Sequence, residues 1–405
     1  MGDRVKQKVV EWLKDIFEKE SVENLEFEFP DYDNSGGYAA DIIFVDLSGI
    51  QNGIKKNYSV LVKKGKEVSQ ALDTLGLKRG YACEVELYSK TIPIFRELAE
   101  EKHCEPFKNI PECYGTVERD EEFIIILQNL KPKGFRVHDI LRPHDLDHLK
   151  LVLEAYANWH AFNFALRDQK PAIFEKLGRN MRGIEKTELF RIYVNTLQKE
   201  IDFVVDFYKD RKKPHIAEKL KNLRKKVKNE SRKCFVNEDE KYYIVRHGDC
   251  WNNNFLFRYN ENERPDQVVV IDWQMGLLGS PLADVSQFIL YCSSRKELEH
   301  LDELLKLYYD SLSRKLQELG SDPEKCFPWK ACQEAFNRYA PLAVAGMTLS
   351  IRASFRKDTE PSYNITDSVE TGDFCGILGE GVRDPEEYFD RIDGVLEFCV
   401  NKGYI

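Results

Sequence analysis

Residues 247–254 read His-Gly-Asp-Cys-Trp-Asn-Asn-Asn, and downstream the apolar run Val268–Ile271 delivers Asp272 into Ile-Asp-Trp-Gln. Together they supply what phosphoryl transfer demands: one carboxylate to accept a hydroxyl proton, and an amide plus a second carboxylate to hold Mg²⁺ against phosphates. Asp249 fits the first role, Asn254 and Asp272 the second. An Asn five residues after an Asp suits a tight loop that turns both side chains into one cleft. A hydrophobic strand ending in Asp projects that carboxylate from its tip. Each half alone also reads as ordinary structure, a polar turn with Asx hydrogen bonds or a strand-terminal cap. Both together, in this order, favour the chemistry.

Such a site also needs a cation for the α and β phosphates, positioned by a carboxylate from a neighbouring helix. Lys63 and Lys64 end the run Tyr58–Val62, and Glu84 lies in the helical stretch that follows. Ser59, Leu61 and Lys63 share one strand face by the two-residue period, which favours Lys63 over Lys64. The turn Asp33-Asn34-Ser35-Gly36-Gly37-Tyr38 precedes the first strand of that pair. Its glycines, Gly36 and Gly37, would let backbone N–H groups lie over phosphates, though an ordinary turn reads the same way.

These elements must be held by a scaffold of sufficient size. At 405 residues, 42% hydrophobic and 12% aromatic, the chain exceeds one average core and should form two lobes. No stretch is apolar and long enough for a membrane span. Met1–Glu20 intersperses charges among apolar residues as an amphipathic helix does, without a signal peptide's apolar segment. Lys6 stands where a myristoylation signal wants Ser or Thr. A cytoplasmic location is expected. Ten cysteines at irregular spacings, with no Cys-x-x-Cys pair, read as reduced packing thiols, Cys250 among them. A formal charge of -9 argues against nucleic acid as partner. The one basic run, Lys209–Lys233, carries Ile216, Leu220, Leu223 and Val227 at helical spacing, so its cations form a solvated helix face. Nothing marks an obligate protein partner.

The order of elements is sheet first, helices later. Tyr38–Leu47 and Tyr58–Val62 read as strands around the turn residues 48–53, and a helix is expected over 68–101, interrupted near Pro93. A strand pair follows at Cys113–Val117 and Phe123–Leu127. The run Gln128-Asn-Leu-Lys-Pro-Lys-Gly134 breaks the pattern and is the hinge candidate, with Gln128 and Leu130 the expected nucleotide contacts. Beyond it, Leu149, Leu153, Tyr156 and His160 define one helix face, with His160 a core histidine. Further helices are expected at 188–208, 298–319 and 329–355. The arrangement is α+β and bilobal: residues 1–130 form a sheet-rich N-lobe and 131–405 a larger helical C-lobe, with ATP between them.

The residues resemble the ecdysteroid kinase-like (CHK kinase-like) family, within the choline kinase and aminoglycoside phosphotransferase group. The resemblance rests on His247–Phe255, on Ile271-Asp-Trp-Gln274 with Gly279-Ser-Pro281 and Asp284, on Glu84-x-x-x-Tyr88, and on Trp159-His-Ala161. It implies a protein-kinase-like fold, ATP and Mg²⁺ as cofactors, and phosphorylation of a small-molecule hydroxyl. It points to Asp249 as base, Asn254 and Asp272 as metal ligands, Lys63 as the phosphate-binding lysine and Glu84 as its partner. Two positions depart from the family pattern. Gln128-Asn129 replaces a Glu-Asp pair at the hinge, and Ala40 replaces a phosphate-loop Ser. Asp284 is expected to support the catalytic loop by hydrogen bonds.

Two other classes fit parts of this pattern. A pseudokinase scaffold would have lost the base or a metal ligand, and none is missing. A metal-dependent hydrolase using His247, Asp249 and Asp272 would need further ligands that the eight histidines do not cluster to supply. For the acceptor, a steroid-like or other hydrophobic alcohol needs an apolar trough, and choline or ethanolamine an aromatic, acidic cage. The segment Pro341–Ile351 is apolar and would either line such a trough or form a core helix.

Overall fold

The computed structural model describes residues 2–30, 40–67, 69, 73–119, 122–178, 181, 184–209, 211–235, 241–357, 367–379 and 381–405. Gly36 and Gly37 lie outside the described residues. The N-terminal part begins with helix α1 (Asp3–Phe17) and continues into a five-stranded antiparallel sheet of order β1-β2-β3-β5-β4. The strands are β1 (Val22–Glu28), β2 (Ala40–Gln51), β3 (Ile54–Gly65), β4 (Cys113–Arg119) and β5 (Glu122–Gln128).

The expected hairpin forms, with longer strands than the turn signals suggested. Ser48–Ile50 stay in β2, and the turn is Asn52-Gly53 alone, both at positive φ (52° and 75°). An Asn-Gly pair is the preferred two-residue turn because its backbone twist matches that of the strands. Alternation then divides β3 between two cores. Val60 and Val62 face Val9, Leu13 and Phe17 of α1 in one apolar cluster, together with Val45, Ile124 and Ile126. Leu61 and Lys63 take the opposite face, towards the rest of the molecule.

The helix after β3 is described as α2 (Leu77–Glu86) and α3 (Ile92–Glu101), joined by a π turn over Leu87–Thr91. Pro93 follows the π turn directly, and the wider turn accommodates a residue that has no N–H to donate. The interruption expected near Pro93 is this π turn.

The larger part is helical. Its longer helices are α4 (Leu146–Gln169), α5 (Glu188–Phe207), α6 (Pro214–Phe235), α7 (Pro281–Cys292), α8 (Leu301–Glu318), α9 (Trp329–Ser354) and α10 (Pro385–Asn401). Leu149, Leu153, Tyr156 and His160 are all fully buried, but so are residues on every other side of α4. α7 is similarly apolar all round, as a helix must be when it runs through a core. The basic run forms α6, with Ile216, Leu220, Leu223 and Val227 buried and its cations outward. Among the described residues no helix is long and apolar enough to cross a membrane.

Between α6 and α7 lies the strand-loop-strand insert: β7 (Ile244–Arg246), a 3₁₀ turn (Asn252–Asn254), β8 (Phe255–Tyr259) and β9 (Pro265–Val270). β8 and β9 pair with β6 (Phe135–Val137), and β10 (Leu277–Gly279) returns to pair with β7. Trp159 of α4 locks the insert in place. Its indole N–H donates to the Val245 carbonyl at 2.7 Å, and its ring packs on Trp273 with centroids 4.4 Å apart. The N-terminal sheet depends on α1 for cover, so Leu13→Ala should cost about 2–5 kcal/mol by cavity formation. Amide exchange across β2 and β3 should speed up; unchanged exchange there would show that the helix contributes nothing.

Candidate active site

Three elements meet at the ammonium of Lys63. It sits at the end of β3, 2.7 Å from Glu84 Oε2 on α2 and 2.7 Å from Asp272 Oδ1 at the tip of β9. Of the two lysines ending the strand, Lys63 is the one that reaches this position. Glu84 is itself buried and accepts a hydrogen bond from the Trp273 backbone N–H, so it bridges sheet and insert. Burial alone would lower the Lys63 pKa, but the charges of Asp272 and Glu84 outweigh it and the net shift is upward. Lys63 therefore stays charged. Burial raises the pKa of Glu84, against the pull of Lys63.

Asp249 and Asn254 form a closed loop of their own. The Asn254 amide Nδ2 donates both to the Asp249 backbone carbonyl and to its Oδ2, each at 2.8 Å. This leaves the Asn254 side-chain oxygen Oδ1 available for a cation. The loop is pinned to β9 by the Ile271 N–H, which donates to the Asn254 carbonyl at 3.0 Å. Asp272 follows directly, in a left-handed conformation (φ 62°) that Asp tolerates better than most residues. Asn254 and Asp272 are thus neighbours from two separate loops, as their spacing predicts. Burial first, and the Asp272 charge second, push the Asp249 pKa up to about 7. A cation among these oxygens would favour the ionised form again.

His247 is a brace, with both ring nitrogens committed. Nε2 lies 3.0 Å from the Ile271 carbonyl, which only accepts, so Nε2 carries the proton. Nδ1 accepts from the Asp249 N–H at 3.4 Å and lies 3.3 Å from the Tyr156 hydroxyl. Burial lowers its pKa and keeps the ring neutral. Gly248 has φ 84°, and a Cβ there would lie 2.3 Å from the Met275 carbonyl oxygen, so only glycine fits. Among the described residues, no group of three or more His, Cys, Asp or Glu side chains is placed to hold a metal ion.

Beneath the loop, Asp284 of α7 accepts three hydrogen bonds. Two come from the His247 and Gly248 backbone N–H groups, at 2.7 and 3.2 Å. A third comes from Arg246 Nε at 3.0 Å, and His160 Nε2 stands 3.7 Å away as a more distant fourth contact. Asp284, Arg246 and His160 are all essentially inaccessible to solvent. Burial would raise the Asp284 pKa, yet Arg246 and the other partners bring it down to about 2. The expected hydrogen bonds between Asp284 and the 247–254 loop are present. His160 is a core histidine, bonded through Nδ1 to the Tyr308 hydroxyl at 2.8 Å. The Cys250 thiol, fully buried, is pushed well above its usual range by that burial and is inert. All ten cysteines are free.

The hinge residues take structural positions. The Gln128 side chain turns towards Glu112, and its N–H donates to the Glu112 carbonyl. Asn129 is buried and clamps the hinge to β3, donating from its backbone N–H to the Ser59 carbonyl and from Nδ2 to the Ser59 hydroxyl at 3.0 Å. A neutral amide there can donate and accept at once, since its Oδ1 also receives the Lys131 N–H. Leu130 packs with Phe135, Val269 and Ile271, beside the Asp272 tip. Ala40 is buried at the start of β2, in register with Gly65.

A cavity of about 360 Å³ opens on Asp249 from the helical side. Its lining comes from the start of α2, from α5, α6, α7 and α9, and from the catalytic loop itself. Leu75, Leu189, Phe190, Phe235, Leu349 and Ile377 make it predominantly apolar. The segment Pro341–Ile351 does both things its sequence allowed. Ala343, Val344 and Met347 pack in the core, while Gly346, Leu349 and Ser350 face the cavity. No sequence period reveals this cavity, because its walls come from eight separated segments.

A sheet-rich N-lobe, a helical C-lobe and a base loop with an acidic strand tip between them make this a protein of the kinase-like bilobal class. The sequence matches the ecdysteroid kinase-like family over residues 34–321, well over half of the chain, and the chain belongs to that family. Membership carries a kinase-like, small-molecule phosphotransferase type of activity. No curated protein matches the chain.

Removing one partner of a buried, hydrogen-bonded ion pair is costly, and Asp284→Asn should destabilise the protein by about 3–5 kcal/mol in urea unfolding. The carboxylate is depressed from 3.8 to about 2, so its contribution is present above about pH 4 and lost as pH falls through 2. The variant should therefore lose stability at neutral pH and little at the acid limit. Equal stability at pH 7 would refute the brace.

Proposed function

We propose that this protein transfers the γ-phosphate of ATP, with Mg²⁺, to a hydroxyl of a hydrophobic, steroid-like alcohol held in the cavity. One observation carries the reading. Asp249 is the point where an apolar cavity meets the cluster of Lys63, Glu84, Asn254 and Asp272, so an alcohol and a nucleotide can reach the same carboxylate from opposite sides.

The residues divide the work as follows. Lys63 grips the α and β phosphates, and Glu84 fixes its ammonium. Leu130 and Ile271 offer an apolar wall for the base, and Gln128 closes the hinge end. The side-chain oxygen Oδ1 of Asn254 and the carboxylate of Asp272 are hard oxygen donors suited to Mg²⁺. When bound, the ion offsets the charge developing on the transferred phosphoryl group. Asp249 accepts the acceptor's hydroxyl proton, held in orientation by the Asn254 amide. The cavity walls exclude water, so the alcohol competes against little hydrolysis. Residues 36 and 37 are proposed to complete the phosphate loop, and the chain divides into lobes near residue 130.

The lining also bears on the acceptor. Among the described residues that form it, Asp249 is the only carboxylate and Arg79 contributes positive charge. The rings of the lining could meet a quaternary amine, but besides the proposed base no described acidic side chain stands with them, which favours an apolar alcohol over choline or ethanolamine. The retained base, metal ligands and lysine favour an enzyme over a scaffold. Ten free thiols suit a reducing, cytoplasmic setting.

Asp249→Asn keeps the shape and removes the base. Alcohol-dependent ADP formation should fall by about 10²–10⁴-fold, with ADP affinity within about twofold of the parent. A variant that turns over like the parent would remove Asp249 from the chemistry. A second substitution tests the cavity. A Cβ on Gly346 would lie 1.8 Å from the Tyr291 hydroxyl oxygen, so Gly346→Ala must displace that ring from the cavity wall. KM for bulky apolar alcohols should change at least severalfold, with KM for ATP unaltered; the reverse pattern would place the acceptor elsewhere.

A further inference from the structure

One side chain in the cavity has no work to do in the folded protein. Gln287 on α7 is 6% exposed, lines the cavity, and its carboxamide makes no hydrogen bond with any described residue. Its amide is open to the cavity, so an acceptor that filled the space without offering it a partner would strip it of water at a cost on the order of 1–3 kcal/mol. Among its polar neighbours in the wall, Gln274 is bonded to Asp272 and Tyr291 to Tyr193, and most of the remaining lining is apolar. The Tyr291 ring lies flush against α9, at the one position where Gly346 leaves room for its hydroxyl.

The place of Gln287 on its helix is equally informative. Asp284, Gln287 and Tyr291 stand at i, i+3 and i+7, and so share one face of α7. Asp284 binds the Gly248 N–H, next to the proposed base. At about 1.5 Å rise per residue, Gln287 lies roughly 5 Å and Tyr291 roughly 10 Å further along the axis. One helix thus fixes the reacting end of the cavity and offers an unpaired donor and acceptor deeper in it.

We propose that Gln287 is a specificity-determining residue whose carboxamide hydrogen-bonds a second oxygen function, a hydroxyl or ketone, on an otherwise apolar acceptor. The proposal rests on the phosphotransferase reading for which hydroxyl reacts, and it adds the chemical class: apolar ring alcohols that carry a further oxygen away from the phosphorylated one. A site built to hydrogen-bond an oxygen rejects the analogue that lacks it, since its own buried group is then left unpaired. An alcohol with a bare hydrocarbon end gains only the apolar contacts.

The test uses the full chain with ADP and Mg²⁺ present, and two steroid probes of one skeleton: androstanediol, with hydroxyls at both ends, and androstanol, with one. Binding is followed by tryptophan fluorescence, since Trp251 lines the cavity. The parent should bind the diol about tenfold more tightly than the mono-ol, and Gln287→Leu should bring the two within about twofold by weakening the diol alone. Gln287→Met serves as a second variant of similar length, and ADP affinity reports that each variant is folded. Equal affinities in the parent would overturn the proposal without any variant, and so would a preserved tenfold preference in either variant. The two readings fail separately. A diol that binds with the predicted preference but takes no phosphate would sink the phosphotransferase reading and leave Gln287 assigned. A diol phosphorylated no better than the mono-ol would do the opposite.

Discussion

The Lys63 ammonium, held 2.7 Å from both Glu84 and Asp272, is the contact on which the site depends. It joins the N-terminal sheet, the helix packed against it and the insert of the helical lobe in one ionic cluster. Its charges do not balance. One ammonium faces two carboxylates, and Asp249 adds a third whose proton affinity is raised by burial and, after it, by the Asp272 charge. Charges packed this closely in a protein interior need a counter-charge. On the proposed reading a divalent cation supplies that counter-charge, and the hard oxygen atoms suit Mg²⁺.

Holding such a cluster requires rigidity from outside it. Asp284 supplies that from α7, gripping the backbone of His247 and Gly248 and neutralised by Arg246. His247 ties the same loop to β9 through the Ile271 carbonyl, and the Ile271 N–H returns the bond to Asn254. The two loops are laced together at consecutive residues. The cavity is lined in part by α7, the helix that carries Asp284, so on the proposed reading acceptor recognition and catalytic geometry share one framework.

Much of this was legible in the residue order. The Asp249–Asn254 spacing and the apolar run before Asp272 announced two loops, and the two-residue strand period separated Lys63 from Lys64. The interior of α4 was read from Leu149, Leu153 and Tyr156. Other parts were hidden for physical reasons. Arg246 looks like a surface residue until Asp284 is found beneath it, because pairing across the fold leaves no local period. Gly346 matters only through the Tyr291 ring that it admits from another helix. Gln287 sits in an apolar helix, where sequence shows a lone polar residue but not the cavity it faces. The 48–53 turn misled because Asn52-Gly53 alone does the turning.

The central claim is that Asn254 and Asp272 converge to hold a divalent ion beside the nucleotide, and metal affinity tests it most directly. Mn²⁺ titrated into the full chain in the presence of ADP, and followed by electron paramagnetic resonance, should show a site on the parent that weakens at least tenfold in Asp272→Asn. Indistinguishable Mn²⁺ affinities in the two proteins would contradict the account.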